Sequence, residues 1–114
     1  MHRILCGDFN TPKSEGSDGI IGTWGPKRGR GERWIRAELN IVSGLGNYDL
    51  ADAYRGLKGY AEEDFSICCN GKWRRYDHVF ASGSLSPISC EYFRHAITSG
   101  LSDHAPILVK FAPR

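Results

Sequence analysis

The chain has 114 residues, of which 40% are hydrophobic and 25% charged, with a formal net charge of +2. This composition is ordinary for a globular protein, and the length predicts one domain, residues 1–114. No apolar run approaches the roughly 20 residues that cross a bilayer. The N-terminal apolar run is too short for a signal peptide, so the cytoplasm is the expected location.

The first half of the chain predicts a short strand, an irregular segment and one main helix. The apolar run of residues 4–6 is followed by GDFNTP, residues 7–12, whose composition favours a turn. Residues 13–32 are rich in glycine, serine and basic residues and are expected to be irregular. Apolar residues then recur at about helical spacing over residues 33–45, and Gly44 marks the expected helix end.

The second half is predicted to be mainly β-structure. Residues 50–55 are compatible with a short strand or a turn, and Gly71 and Lys72 with a turn. Strand-like runs follow at residues 65–69, 76–81, 88–93 and 107–111. The expected fold class is therefore α/β (α+β), with a mixed, mostly antiparallel sheet and one main helix.

Polar residues with useful chemistry lie at or inside these strand-like runs: Asp8, Asn10, Asp77, Asp103 and His104. Each taken alone has an ordinary structural explanation, such as turn formation. Together they provide carboxylates, an amide and an imidazole that changes charge near neutral pH. This set suits hydrolysis of a phosphate ester with a divalent cation on oxygen ligands, for which Mg²⁺ fits best.

Asp77 interrupts an otherwise apolar strand and is the candidate partner that orients His104. Strand alternation places Arg75, Asp77 and Val79 on one face, so His78 should point away and is interpreted as structural. A simpler alternative is that Asp77 pairs with Arg75.

Two basic stretches are candidates for binding phosphate, one at residues 27–36 and one that contains Lys72, Arg74 and Arg75. The candidate substrate-binding residues are Arg28, Arg30 and Arg75. A solvated basic loop is the alternative.

Residues 7–12, 75–82 and 101–106 resemble, in order and spacing, the GDxN, RxD and SDH motifs of the endonuclease/exonuclease/phosphatase superfamily, which includes exonuclease III and DNase I-like enzymes. The resemblance implies a four-layered α/β sandwich and a phosphoesterase that depends on Mg²⁺ or Mn²⁺. It further implies hydrolysis of phosphodiester bonds, with nucleic acid as the expected substrate. Another phosphate ester, such as a small phosphorylated molecule, suits the basic stretch at residues 27–36 equally and is the alternative substrate.

The resemblance also implies a role for each matching residue. Asp8 would position or activate the attacking water, and Asn10 would bind the scissile phosphate or a metal. His104, oriented by Asp77, would contact the phosphate, and Asp103 would lie in the metal shell. The implied metal ligands are thus Asp8, Asn10, Asp103 and His104.

The resemblance covers only the C-terminal half of such a sandwich. Family members begin with another half, which carries a glutamate metal ligand, and no residue here matches it. A homo-oligomer or a complementing N-terminal half is therefore an expected partner. The alternative function is a non-catalytic fragment or half-domain that binds nucleic acid or complements a partner chain.

The sequence contains little evidence for other enzyme classes. A serine hydrolase needs G-x-S-x-G, and the run at residues 83–86 lacks the closing glycine. The four histidines have no zinc-ligand spacing. The four cysteines, Cys6, Cys68, Cys69 and Cys90, show no C-x-x-C pattern and are expected to be reduced and mostly buried.

Overall fold

The computed structural model describes residues 1–25 and 31–114, which form a mixed α/β fold. The strands are β1 (Ile4–Asp8), β2 (Ser14–Glu15), β3 (Ile21–Gly22), β4 (Ala51–Asp52), β5 (Ile67–Cys69), β6 (Lys72–Arg74), β7 (Asp77–Ala81), β8 (Leu85–Tyr92) and β9 (Ile107–Pro113). The helices are α1 (Gly31–Val42), α2 (Ala53–Lys58), α3 (His95–Thr98) and the 3₁₀ helix Gly44–Tyr48. None of the helices in this part of the chain has the length and apolar character needed to cross a membrane.

The strands of the described residues pair in antiparallel fashion in four small sheets. The largest has the order β1-β7-β4, with β7 at its centre. The last four residues of β7 are buried because neighbours cover it on both sides, whereas all five residues of the edge strand β1 are exposed. The β1–β7 register places Asp8 directly opposite Asp77.

The apolar core lies between α2 and the long β8–β9 pair. Tyr54 of α2 and Tyr92 of β8 meet edge to face with ring centroids 5.5 Å apart, and Cys90 and Ala105 complete the buried cluster. The other three cysteines are exposed or partly exposed, so the expectation that the thiols are mostly buried is wrong. Asp52 is the N-cap of α2, because its carboxylate accepts hydrogen bonds from the backbone N–H groups of Tyr54 and Arg55. The cap therefore ties the sheet to the core helix.

Helix α1 confirms the predicted main helix, although its bounds differ from residues 33–45. It begins at Gly31 and ends at Val42, and the chain continues as the 3₁₀ helix. The buried face of α1 carries an acid, Glu38. Its carboxylate accepts hydrogen bonds from the Thr11 hydroxyl and from the backbone N–H of Trp24, each at 2.9 Å. The helix thus holds the segment that follows β1.

Several elements were not predicted. The segment expected to be irregular contains the β2–β3 pair. Residues 50–55, expected to be a short strand or a turn, include the short strand β4 but also the start of α2, which was not expected. The helices α2 and α3 have only six and four residues, which is too short for a helical period to show. Strand β6 was missed because Lys72 was assigned to the turn, which lies at Asn70 and Gly71 instead.

Arg75 is part of a buried ion cluster, so the expectation that it binds substrate is wrong. Its side chain is 1% exposed, and its Nη2 lies 2.6 Å from both Glu15 Oε1 and Asp52 Oδ2. Glu15 also pairs with Arg55, at 2.6 Å. The alternative in which Arg75 pairs with Asp77 is likewise not what the structure shows, since the carboxylate partners of Arg75 come from β2 and β4.

We expect Arg75→Met to lower the free energy of unfolding by about 3–5 kcal/mol, because buried Asp52 loses its cation and buried Glu15 loses one of its two. Urea unfolding of purified protein measures the change. The matched control is Arg94→Met, whose side chain is 53% exposed and whose loss should cost less than about 0.5 kcal/mol. An Arg75→Met protein as stable as this control would contradict a structural role.

The cluster also predicts a specific acid sensitivity. Burial raises the pKa of Glu15, but hydrogen bonds and charges from Arg75 and Arg55 outweigh it and lower the pKa from 4.5 to about 2. The ionised Glu15 therefore stabilises the fold fully above pH 4.5, and its contribution, on the order of 3 kcal/mol, is lost as the pH falls towards 2.

The measurement is urea unfolding across that pH range. Glu15→Gln should flatten the loss of stability between pH 4.5 and 2, whereas Glu91→Gln, at an exposed position of β8, should leave it unchanged. Equal slopes in wild type and Glu15→Gln would show that another carboxyl group is responsible.

Candidate active site

Three titratable side chains meet at one end of the β1–β7 pair. Asp8 ends β1 and Asp77 begins β7, and as directly opposed residues of an antiparallel pair they project to the same face. His104 lies against both: its Nδ1 is 2.7 Å from Asp77 Oδ2 and its Nε2 is 3.7 Å from Asp8 Oδ2. The imidazole thus directs one nitrogen towards each carboxylate, and the predicted pairing of Asp77 with His104 is present.

Ser66 positions the two segments that carry Asp77 and His104. Its Oγ accepts hydrogen bonds from the N–H groups of Tyr76 (2.8 Å) and Asp77 (2.9 Å). Its carbonyl accepts the Ala105 N–H at 2.7 Å, next to a β-bridge between Ile67 and His104. Because Ser66 is fully buried, these contacts fix both backbones relative to each other.

Tyr92 connects the site to the ion cluster. Its hydroxyl donates to the carbonyl oxygen of Asp77 at 2.7 Å and accepts from Arg75 Nη1 at 3.2 Å. Burial raises the pKa of this hydroxyl, so it remains protonated and able to donate at all ordinary pH values. The position of the Asp77 backbone therefore depends on a chain of buried polar contacts.

The environment of His104 favours its positive form. The hydrogen bond with Asp77 raises the pKa of His104 above 6.5, partial burial opposes this, and the charges of Asp77, Asp8 and Asp103 add to the rise. The proton on Nδ1 is held by Asp77, which leaves the Nε2 side of the ring directed towards Asp8. The pair can therefore present an N–H donor beside a carboxylate.

Asn10 and Asp103 flank this arrangement without joining the cluster. Asn10 has φ 55°, a left-handed conformation that asparagine tolerates, and its N–H donates to Asp8 Oδ1 at 2.9 Å. This bond fixes the turn that follows Asp8. Asp103 is exposed beside His104 and acts on the pKa of the ring.

Among residues 1–25 and 31–114, Asp8, Asp77 and His104 form the group of acidic and histidine side chains that could hold a cation, with ligand atoms within 4.8 Å of one another. The carboxylate of Asp8 is 38% exposed, and carboxylate oxygens are common ligands of divalent cations. His104 lies close enough to be a ligand as well. Its bond to Asp77 and raised pKa favour the protonated ring, however, which has no lone pair for a metal.

The remaining predicted residues lie away from this site or outside the described part of the chain. His78 is fully buried on the other face of β7, as its structural interpretation requires, and its Nε2 donates to the Thr11 carbonyl at 2.7 Å. Burial lowers its pKa, and the charge of Arg75 adds to this. Arg28 and Arg30 lie outside the described residues.

Sequence reasoning gave no role to the residues that position the site, namely Ser66, Tyr92, Glu15 and Asp52. A serine near the start of the strand-like run at residues 65–69 is a weak signal, and nothing in the pattern indicates that its hydroxyl would accept hydrogen bonds from two backbone N–H groups.

In comparisons with family models, curated proteins and solved structures, nothing matches this chain. The features that bear on function are therefore the motifs and the geometry of Asp8, Asp77 and His104.

We expect Asp77→Asn to lower the pKa of His104 towards its ordinary value of 6.5, because the charged acceptor on Nδ1 is lost while the shape is kept. Measured by NMR titration of the imidazole in EDTA, the wild-type ring should remain protonated to higher pH. The stabilisation from this pair is complete below pH 6.5 and is lost as the pH rises through the folded-state pKa.

The matched control replaces His95, an exposed histidine in α3: the pKa of His104 should be the same in His95→Asn as in wild type. An unchanged pKa of His104 in Asp77→Asn would show that the 2.7 Å contact is not the main cause of the shift.

Proposed function

We propose that this chain is a metal-dependent phosphoesterase of the endonuclease/exonuclease/phosphatase type, which hydrolyses phosphodiester bonds of nucleic acid with Mg²⁺ or Mn²⁺. The observation that carries the proposal is the contact of His104 with Asp77 and Asp8, because it joins the three segments that bear the GDxN, RxD and SDH motifs. In this proposal the mixed α/β fold is the C-terminal half of a four-layered sandwich.

The chemistry assigned to each residue follows from its surroundings. Asp8 is exposed enough to accept a hydrogen bond from a water molecule and to take its proton as the water oxygen attacks phosphorus. His104 donates Nε2–H to a non-bridging phosphate oxygen, and Asp77 preserves the orientation and charge of the ring. As the new P–O bond forms, the ester P–O bond breaks and the leaving oxygen acquires a proton from solvent.

A divalent cation held by Asp8, with the Asn10 amide beside it, would neutralise charge on the phosphate. The donor set supports this assignment because oxygen ligands predominate once His104 is protonated. A purely structural His–Asp pair is the competing explanation. Against it, all three side chains remain partly open to solvent, at 38% exposure for Asp8, 29% for His104 and 18% for Asp77.

The test is hydrolysis of bis-p-nitrophenyl phosphate by the purified chain with Mn²⁺. We expect turnover that EDTA abolishes and that His104→Ala reduces by roughly 10²–10⁴-fold, the usual value of one positioned acid or base. His95→Ala is the matched control and should retain full activity. Turnover that survives in His104→Ala would contradict the proposal.

The second candidate is a module that binds nucleic acid, or complements a partner chain, without turnover. The observation that favours it is the exposure of β1, which lies at a sheet edge with Ile4 55% and Leu5 39% exposed. Such an edge can pair with a second copy or with a complementing half. Folded wild type with no Mn²⁺-dependent turnover, but with salt-sensitive oligonucleotide binding, would favour this candidate.

A further inference from the structure

A basic cavity adjoins the candidate active site. It has a volume of about 530 Å³, and its lining includes Asn10, Trp24, Asn70, Lys72, Arg74 and Tyr76. Asn10 follows Asp8 by two residues and Tyr76 directly precedes Asp77, while the Phe9 N–H donates to the Tyr76 carbonyl at 2.9 Å. The cavity is therefore built on the chain neighbours of both site carboxylates.

The charge of this cavity is positive. Lys72 and Arg74 line it, and the described lining residues include no carboxylate. Neither side chain forms an ion pair with an acid among the described residues. A neighbouring cavity of about 440 Å³ shares Lys72 and Arg74 but is also lined by Glu15, Glu63 and Asp64. Charge therefore favours an anion in the first cavity.

Arg74 is held in place for such a role. Its guanidinium carbon lies 4.7 Å from the ring centroid of Trp24, and its Nη1 donates to the Lys13 carbonyl. Its Nε is buried and has no acceptor within the described residues. A guanidinium fixed by stacking and one hydrogen bond loses little entropy on binding a phosphate, and Arg has five N–H donors in total.

We infer that this cavity binds a second phosphate of the substrate, next to the one that is hydrolysed, with Lys72 and Arg74 as its contacts. The inference rests on the proposed function for the identity of the neighbouring site. It specifies the substrate class as a polynucleotide strand, whose phosphates repeat along the chain, and it assigns specificity to two residues of β6.

The experiment measures binding in EDTA at low salt, where no metal-dependent hydrolysis takes place. The probes are fluorescein-labelled hexathymidylate, followed by anisotropy, and unlabelled thymidylyl-thymidine, which has a single phosphate, as competitor. We expect Lys72→Ala to weaken hexathymidylate binding about tenfold and to reduce the slope of log affinity against log salt by about one. Lys72→Glu should weaken it further.

Lys110→Ala is the matched control, since Lys110 is an exposed lysine on β9, and it should bind hexathymidylate as wild type does. Wild type should also bind hexathymidylate more tightly than thymidylyl-thymidine or inorganic phosphate. The inference is overturned if Lys72→Ala behaves like Lys110→Ala, if inorganic phosphate competes as well as the hexanucleotide, or if wild type does not bind. Because this experiment measures binding without hydrolysis, a negative result for the second phosphate site can be told apart from a negative result for the proposed phosphoesterase activity.

Discussion

The guanidinium of Arg75 holds together the strands on which the candidate site depends. It pairs with Glu15 of β2 and Asp52 of β4 and donates to the hydroxyl of Tyr92 in β8. Tyr92 in turn donates to the carbonyl of Asp77, two residues after Arg75. A displacement of any of these strands would therefore move the backbone of the residue that orients the imidazole.

Such a cluster specifies geometry more than it adds stability. Taking charges out of water costs free energy that their mutual attraction only partly returns, so apolar residues of similar size often stabilise a fold as well. The cost of an unpaired buried charge, however, penalises every arrangement in which Arg75 lacks its carboxylates. Asp52 extends this constraint, because the same carboxylate caps α2 and so sets the position of Tyr54 in the core.

The parts of this structure that could be predicted from sequence are those with local causes. The turn-forming residues 7–12 indicate that a strand ends near Asp8. The alternation of side chains along a strand predicts that Asp77 and His78 project to opposite faces. The role of Arg75 could not be read in this way, because its partners Glu15 and Asp52 lie 60 and 23 residues away in the sequence. A basic side chain beside a motif looks the same in sequence whether it faces substrate or a buried carboxylate.

The contact between Asp77 and His104 also depends on a third residue, Ser66, whose hydroxyl is hydrogen-bonded to neither the Asp77 carboxylate nor the imidazole. The hydroxyl of Ser66 accepts hydrogen bonds from the backbone N–H groups of Tyr76 and Asp77, at the start of β7. The carbonyl of Ser66 accepts one from the backbone N–H of Ala105, next to His104. Alanine at this position would leave two buried N–H groups without an acceptor, at a cost of about 1–3 kcal/mol each. Because β7 and the loop that carries His104 are both hydrogen-bonded to Ser66, the backbone sets the 2.7 Å separation between Asp77 Oδ2 and His104 Nδ1. The imidazole is therefore oriented before any substrate binds.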